Sequence, residues 1–300
     1  MTKNQLTLLC VALVVISFAI GNLSQPIIKI KSTSKIKPSP TVPAGPDLAK
    51  LQEEVIPQKG FVFNFKWGDM GKKLIDDGVI DETKLAKALT GTENMPPEFK
   101  KYLDGSVQQI ELNSSNSQFW VDVLWGLGLA NKNELLEKGP MVEEGRIANF
   151  ASTGGFTIGP KNPMNVYSKF SYIKLTPDQQ ARVVKVAGGI YRPCCGNSTA
   201  FPDCNHGMAA LALVELMVSQ NFSDEEIYKT VLRFNSFWFP QTYLDVSYHF
   251  AKNNRDFKAV PASEILSKTF SSSQGYQAIA SKIGVVDWPI LKNRGGSCGA

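Results

Sequence analysis

Residues 203–221 read "DCNHGMAALALVELMVSQN", the most apolar helical stretch of the chain. The segments on either side follow the same period. "SDEEIYKTVLRFNSFWF" (residues 223–239) opens with Ser223 as N-cap and Glu226 three residues on, a capping box. Upstream, "TPDQQARVVKVAGG" (176–189) sets Thr176 as N-cap before Pro177 at the first helical position, a strong start signal. "NSQFWVDVLWGLGLAN" (116–131) spaces Phe119, Val123, Leu124 and Leu127 as a helix face, with Trp120 beside them.

Shorter amphipathic pieces complete the pattern. "DMGKKLIDDG" (69–78) and "DETKLAKALTG" (81–91) each close on a glycine suited to a C-cap, and "PQTYLDVSYHFAKNN" and "PASEILSKTF" continue the helical reading. Only "FVFNFKW" (61–67) and "VQQIEL" (107–112) look strand-like, and both are short. No internal repeat is visible. The expected fold is mainly α: an irregular multi-helix domain with long loops and at most short strands, behind an N-terminal apolar helix.

That N-terminal segment has Lys3, then no charged residue until Lys29, with an apolar run from Leu6 to Ile20. A basic start before such a run is an export signal, cleaved or kept as a membrane anchor. Ala19 and Gly21 satisfy the small-residue rule of a cleavage site, and Cys10 reads as an ordinary apolar residue of the segment. "KSTSKIKPSPTVPAGPD" (31–47) then holds four prolines among Ser, Thr and Lys, a composition of extended linkers. The division is residues 1–24 as signal peptide or anchor, 25–46 as linker, and 47–300 as a folded extracytoplasmic domain. The partner expected of the N-terminus is a membrane.

The 300 residues are 43% hydrophobic and 20% charged, suited to a sizeable core, with a net charge of +5. Lys29, Lys31, Lys35 and Lys37 carry four of those charges, so the rest is close to neutral and carries no nucleic-acid footprint.

Chemistry concentrates in "RPCCGNSTAFPDCNHG" (192–207), with three of five cysteines and one of two histidines. Pro193 and Pro202 bracket a turn-rich loop. Asp203 is placed to cap the next helix, with Cys204 at its first position and His206 at its third. A thiolate there faces unpaired backbone N–H groups and the positive end of the helix dipole. Cys194, Cys195, Cys204 and His206 make a ligand set for zinc or copper, with Cys298 in the glycine-rich tail as a further group. For adjacent cysteines to share an ion the chain must turn sharply, which Gly196 would permit. Two other readings stay open. Cys204 as a nucleophile resolved by Cys195 or Cys298 would make a thiol–disulfide oxidoreductase, and four cysteines beyond Cys10 would also serve as disulfide staples of a non-catalytic surface domain.

Weaker candidates are the Gly-rich "FASTGGFTIGP" (150–160), which lacks the ending of a phosphate loop, and the aromatic "FNSFWFP" (234–240), a wall for a pocket or simply core. His249 reads as structural, and Met208 as a core residue or a soft axial ligand. The carboxylate pairs Asp76-Asp77, Glu143-Glu144 and Glu225-Glu226 read as solvated faces.

"YRPCCGNSTAFPDCNHGMAALALVELM", with "FASTGGFTIG", "WGLGLANKN" and the terminal "GGSCGA", resembles a group of exported or membrane-anchored bacterial proteins that carry a Cys-Cys…Cys-Asn-His-Gly segment. Over about thirty residues it resembles, more loosely, exported bacterial proteins with a Pro-Cys-Tyr-Cys-Gly-Cys motif; here Cys-Cys stands in place of Cys-Tyr-Cys. The resemblance implies a bacterial cell-surface setting and points to residues 191–208 as the functional segment. It brings no reaction with it.

Overall fold

The computed structural model describes residues 45–291. The N-terminal apolar segment, the linker up to residue 44, and Cys298 lie outside the described residues.

In chain order the helices are α1 (Leu48–Val55), α2 (Met70–Asp76), α3 (Glu82–Thr90), α4 (Pro97–Leu103), α5 (Ser117–Ala130), α6 (Glu134–Lys138), α7 (Pro140–Glu143) and α8 (Ala151–Gly154). They continue with α9 (Pro177–Gly188), α10 (Asn205–Ser219), α11 (Asp224–Trp238), α12 (Pro240–Lys252), α13 (Ala262–Ile265), α14 (Lys268–Ser271) and α15 (Ser273–Ile283). Both strand-like stretches form strands, β1 (Phe61–Lys66) and β2 (Gln109–Leu112), paired antiparallel with Phe61 opposite Leu112 and an irregularity between Val62 and Lys66. The mainly helical expectation holds, and so do the N-cap at Thr176 and the capping box at Ser223/Glu226; the structure adds a second capping box, with Gln179 answering Thr176. Among the described residues no helix is long and apolar enough to cross a membrane.

The core is built on α5 and α10. Every residue of α5 from Phe119 to Ala130 is buried, and every residue of α10 from Gly207 to Val218. Helices apolar on all sides must be covered on all sides. The two pack directly on one another, and their closest approach is at Gly128. A Cβ there would lie 2.2 Å from the Met208 carbonyl oxygen, so the backbones touch and only glycine fits. Met208, two residues beyond His206, is therefore a core residue at the helix crossing rather than an axial ligand.

Three surrounding parts hold this pair. Strand β1 of the two-stranded sheet turns Phe63 and Phe65 inward, with Phe63 stacked on Phe234 at 5.1 Å. At the other end of α10, Glu215 is fully buried. Its carboxylate accepts from Asn131 Nδ2 at 3.0 Å and from Asn133 Nδ2. These amides cannot turn around, because Asn131 Oδ1 accepts the Ile173 N–H and Asn133 Oδ1 accepts the Leu135 N–H and the Gln180 amide. On the C-terminal side, buried Asp245 of α12 accepts from Trp288 Nε1, Tyr276 Oη and Gln241 Nε2, each at 2.8 Å, fastening the last segment to the body.

Two outcomes test this packing. Gly128→Ala should cost about 3 kcal/mol in urea denaturation, the upper end of what an extra core carbon costs when backbone must move. Glu215 tests the buried carboxylate. Burial pushes it from 4.5 up to about 8, against the pull of the two amides. With the folded value raised, folding takes up a proton between those limits. Its contribution to stability is complete below about 4.5 and lost as pH rises through about 8. Glu215→Gln does not titrate there, so the stability of wild type relative to this variant should grow as pH falls from about 9 to about 5. A difference constant with pH would mean that the carboxylate stays ionised throughout.

Candidate metal centre

The segment between α9 and α10 is shaped by its backbone before any sulfur is considered. Tyr191 and Ser198 form an antiparallel bridge, and Thr199 N donates to Ile190 O at 2.7 Å, which pinches residues 192–197 into a closed loop. Inside it Cys195 N reaches Arg192 O at 3.5 Å around Pro193 and Cys194. Proline favours that first corner of a turn because its φ is already set. The sharp bend that lets adjacent cysteines serve one site thus comes at Pro193, upstream of both. Gly196, expected to supply it, instead admits Gln274 of α15, whose Oε1 would lie 3.1 Å from a Cβ. The loop is tied down further by Ser273 N to Cys195 O at 2.9 Å and Tyr191 N to Leu266 O at 2.8 Å.

Arg192 is the centre of the loop, and its side chain is 1% exposed. Its Nε donates to Cys204 Sγ at 3.0 Å, Nη1 to Asn197 O at 3.3 Å, and Nη2 to Phe201 O at 3.1 Å and Asp203 Oδ1 at 2.5 Å. Asp203 also accepts from Asn197 Nδ2 at 2.9 Å. A buried guanidinium needs its donors engaged and its charge matched; these partners take up four of the five N–H groups and Asp203 supplies the opposite charge. Gly207 makes room for it: a Cβ there would lie 2.4 Å from Arg192 Cζ.

This draws Asp203 away from the helix end. Cys204 itself is the N-cap of α10, and its sulfur accepts from Gly207 N at 3.4 Å. The expected cap at Asp203 is therefore corrected: its carboxylate serves the arginine, and the sulfur takes its place. His206 becomes the second helical residue.

Cys194, Cys195 and Cys204 converge, their three sulfurs all lying within 4.8 Å of one another. Cys194 Sγ and Cys204 Sγ are 3.4 Å apart, far beyond the ~2.05 Å of a disulfide, and all three cysteines are free. Hydrogen bonds from Cys194 and Cys195 hold Cys204 well below the usual thiol range, and the guanidinium of Arg192 adds to this against the opposing effect of burial. Cys194 is pushed up in exchange, first by its hydrogen bond with Cys195. Of the three sulfurs, Cys204 is thus the one whose ionised form the surroundings favour, while Cys194 and Cys195 are held toward the thiol. Three soft sulfurs so placed can hold a metal ion.

Of the other two expected ligands, Cys298 lies outside the described residues and His206 stands apart from the sulfurs. The His206 ring lies against Phe239 at 4.4 Å and Trp238 at 5.7 Å, outside the group of three sulfurs. Burial pushes it down to about 4, with Cys204 pulling the other way, so it is a neutral imidazole at physiological pH. The aromatic run 234–240 is thus a wall beside the cluster as well as core. "FASTGG" is a buttress: Ser152 N donates to Asp203 O at 3.0 Å, Trp125 Nε1 to Ser152 O at 2.7 Å, and Phe150 meets Phe201 edge-on. His249 packs near Phe250 and Phe270, away from the sulfurs, and the three carboxylate pairs are exposed.

Sequence reasoning passed over Arg192 and the true part of Asp203. The available signal was Gly207, a glycine inside the first turn of an otherwise strong helix, which marks a close neighbour.

No family model matches the chain, and neither a curated protein nor a solved structure matches it.

Gly207→Ala should expel the guanidinium. The expected result is a loss of about 1–3 kcal/mol, typical of overpacking, together with a rise in the midpoint of the lowest thiolate step in an ultraviolet pH titration. An unshifted midpoint would show that Arg192 does not hold the thiolate.

Proposed function

We propose that this is a soft-metal-binding protein, for zinc or copper(I), held at or exported across a bacterial cell membrane. The observation that carries the binding reading is the convergence of three free sulfurs on a buried arginine. Thiolates favour zinc and copper(I) over harder ions. Charge supports the divalent ion: three thiolates and the Asp203 carboxylate outweigh the single guanidinium, and a doubly charged metal offsets more of that excess than a singly charged one. Zinc also calls for a fourth donor. His206 is the residue we assign to that place, being neutral, two residues from Cys204, and without a hydrogen-bond partner for its ring nitrogens among the described residues. Cys298 in the glycine-rich tail is the alternative donor. Location rests on the sequence, whose apolar start and proline-rich linker are those of a tethered or exported domain.

The test is titration of the reduced protein with Zn²⁺ and with Cu(I) under a competing chelator. One ion per chain is expected. Cys195→Ser should weaken both metals by about 100-fold or more, beyond what loss of an outer contact causes. His206→Ala should weaken zinc and leave copper(I) unchanged. Failure to retain either metal against a weak chelator would overturn the reading.

A further inference from the structure

We infer that Cys194 and Cys204 are, independently of any metal, a thiol–disulfide couple that takes its oxidising equivalents from an external disulfide. Cys194 is the exposed member of the three, and Cys204 lies behind it with 3.4 Å between the sulfurs. Cys204 Sγ receives N–H groups from Arg192 at 3.0 Å and Gly207 at 3.4 Å, which fix its position behind Cys194. Cys195 lies within 4.8 Å of both sulfurs but is also held elsewhere: its sulfur reaches Asp203 Oδ1 at 3.8 Å and Asn197 O at 3.9 Å, and its carbonyl is bound by Ser273 N. A bond between the neighbours Cys194 and Cys195 would be strained. The geometry therefore selects one pair of the three.

The exchange balances without any cofactor. The accessible Cys194, giving its proton to water, attacks one sulfur of the incoming disulfide as a thiolate and displaces the first half as a thiolate. Cys204 then attacks the Cys194 sulfur of the mixed disulfide as a thiolate and displaces the second half as a thiolate. One disulfide has been reduced to two thiolates, and one disulfide now joins Cys194 to Cys204. Attack in this order follows access, since the leaving half must depart into solvent. The oxidised pair cannot hold a metal with both sulfurs, so metal loading and oxidation exclude one another.

The probe is oxidised glutathione, applied to the full chain after reduction and removal of metal with a chelator. Free thiols are then blocked and unreduced peptides mapped by mass spectrometry. The expected product links Cys194 to Cys204, with Cys195 recovered blocked and no lasting glutathione adduct. Cys204→Ser should accumulate a stable glutathione adduct on Cys194, and Cys194→Ser should slow consumption of oxidised glutathione by about tenfold or more. A main product joining Cys195 to Cys204 or to Cys298, or a persistent adduct on the wild type, overturns the assignment. Because the assay uses metal-free protein, its result stands apart from the metal titration.

Discussion

A guanidinium removed from water must find in the protein what it gave up, and the loop from Pro193 to Asp203 is the solution this chain adopts for Arg192. Two carbonyls, a carboxylate and a sulfur supply the partners. A carbonyl reaches an arginine only if the backbone bends to it, so the loop's path is set by the cation it surrounds. Cys204 is fixed by the same contacts. Cys194 and Cys195 reach it because the turn at Pro193 leads away from Arg192 and back across its face. Taking away one partner of such a charge leaves the rest exposed to a large desolvation cost. Cys204 is thus held by the electrostatic demand of the buried arginine as well as by its sulfur neighbours.

The arginine in turn depends on the core. Its guanidinium rests on Gly207, whose position is set by the meeting of α5 and α10 at Gly128 and Met208. Displacement at the crossing would carry the first turn of α10 with it, and with that turn the N-cap sulfur. Glu215, about two turns beyond the crossing, keeps the helix from sliding by holding two amides that are themselves locked by backbone N–H groups. A rigid helix pinned at both ends makes a precise mount for a site at its tip.

Much of the fold was legible because it follows local rules. The N-cap at Thr176, the capping box at Ser223, the proline at the start of α9, and the two short strands were all where the residues said. The cysteines were legible as a group for a simpler reason: rare residues gathered in a short stretch. What escaped was non-local. Asp203 has the right side chain and position to cap α10, and nothing nearby in sequence says that an arginine eleven residues earlier will claim it. Gly196 was credited with the bend because glycine bends chains, whereas its use is to admit Gln274 from a distant helix. Arg192 carried no pattern at all. Buried charges are chosen by their surroundings, and those exist only once the chain has folded.

The loop's two anchors to the C-terminal region, Tyr191 to Leu266 and Cys195 to Ser273, have a consequence for biosynthesis. A chain is made from its N-terminus, and domains generally form as their parts emerge. The three sulfurs are synthesised well before the residues that fix their loop. Throughout that interval they are ordinary accessible thiols, open to wrong pairings that the finished geometry forbids. Fidelity at this site is therefore decided partly in time, by how quickly the last helices follow the cysteines out, and the cell's handling of nascent thiols enters the history of every correctly assembled copy.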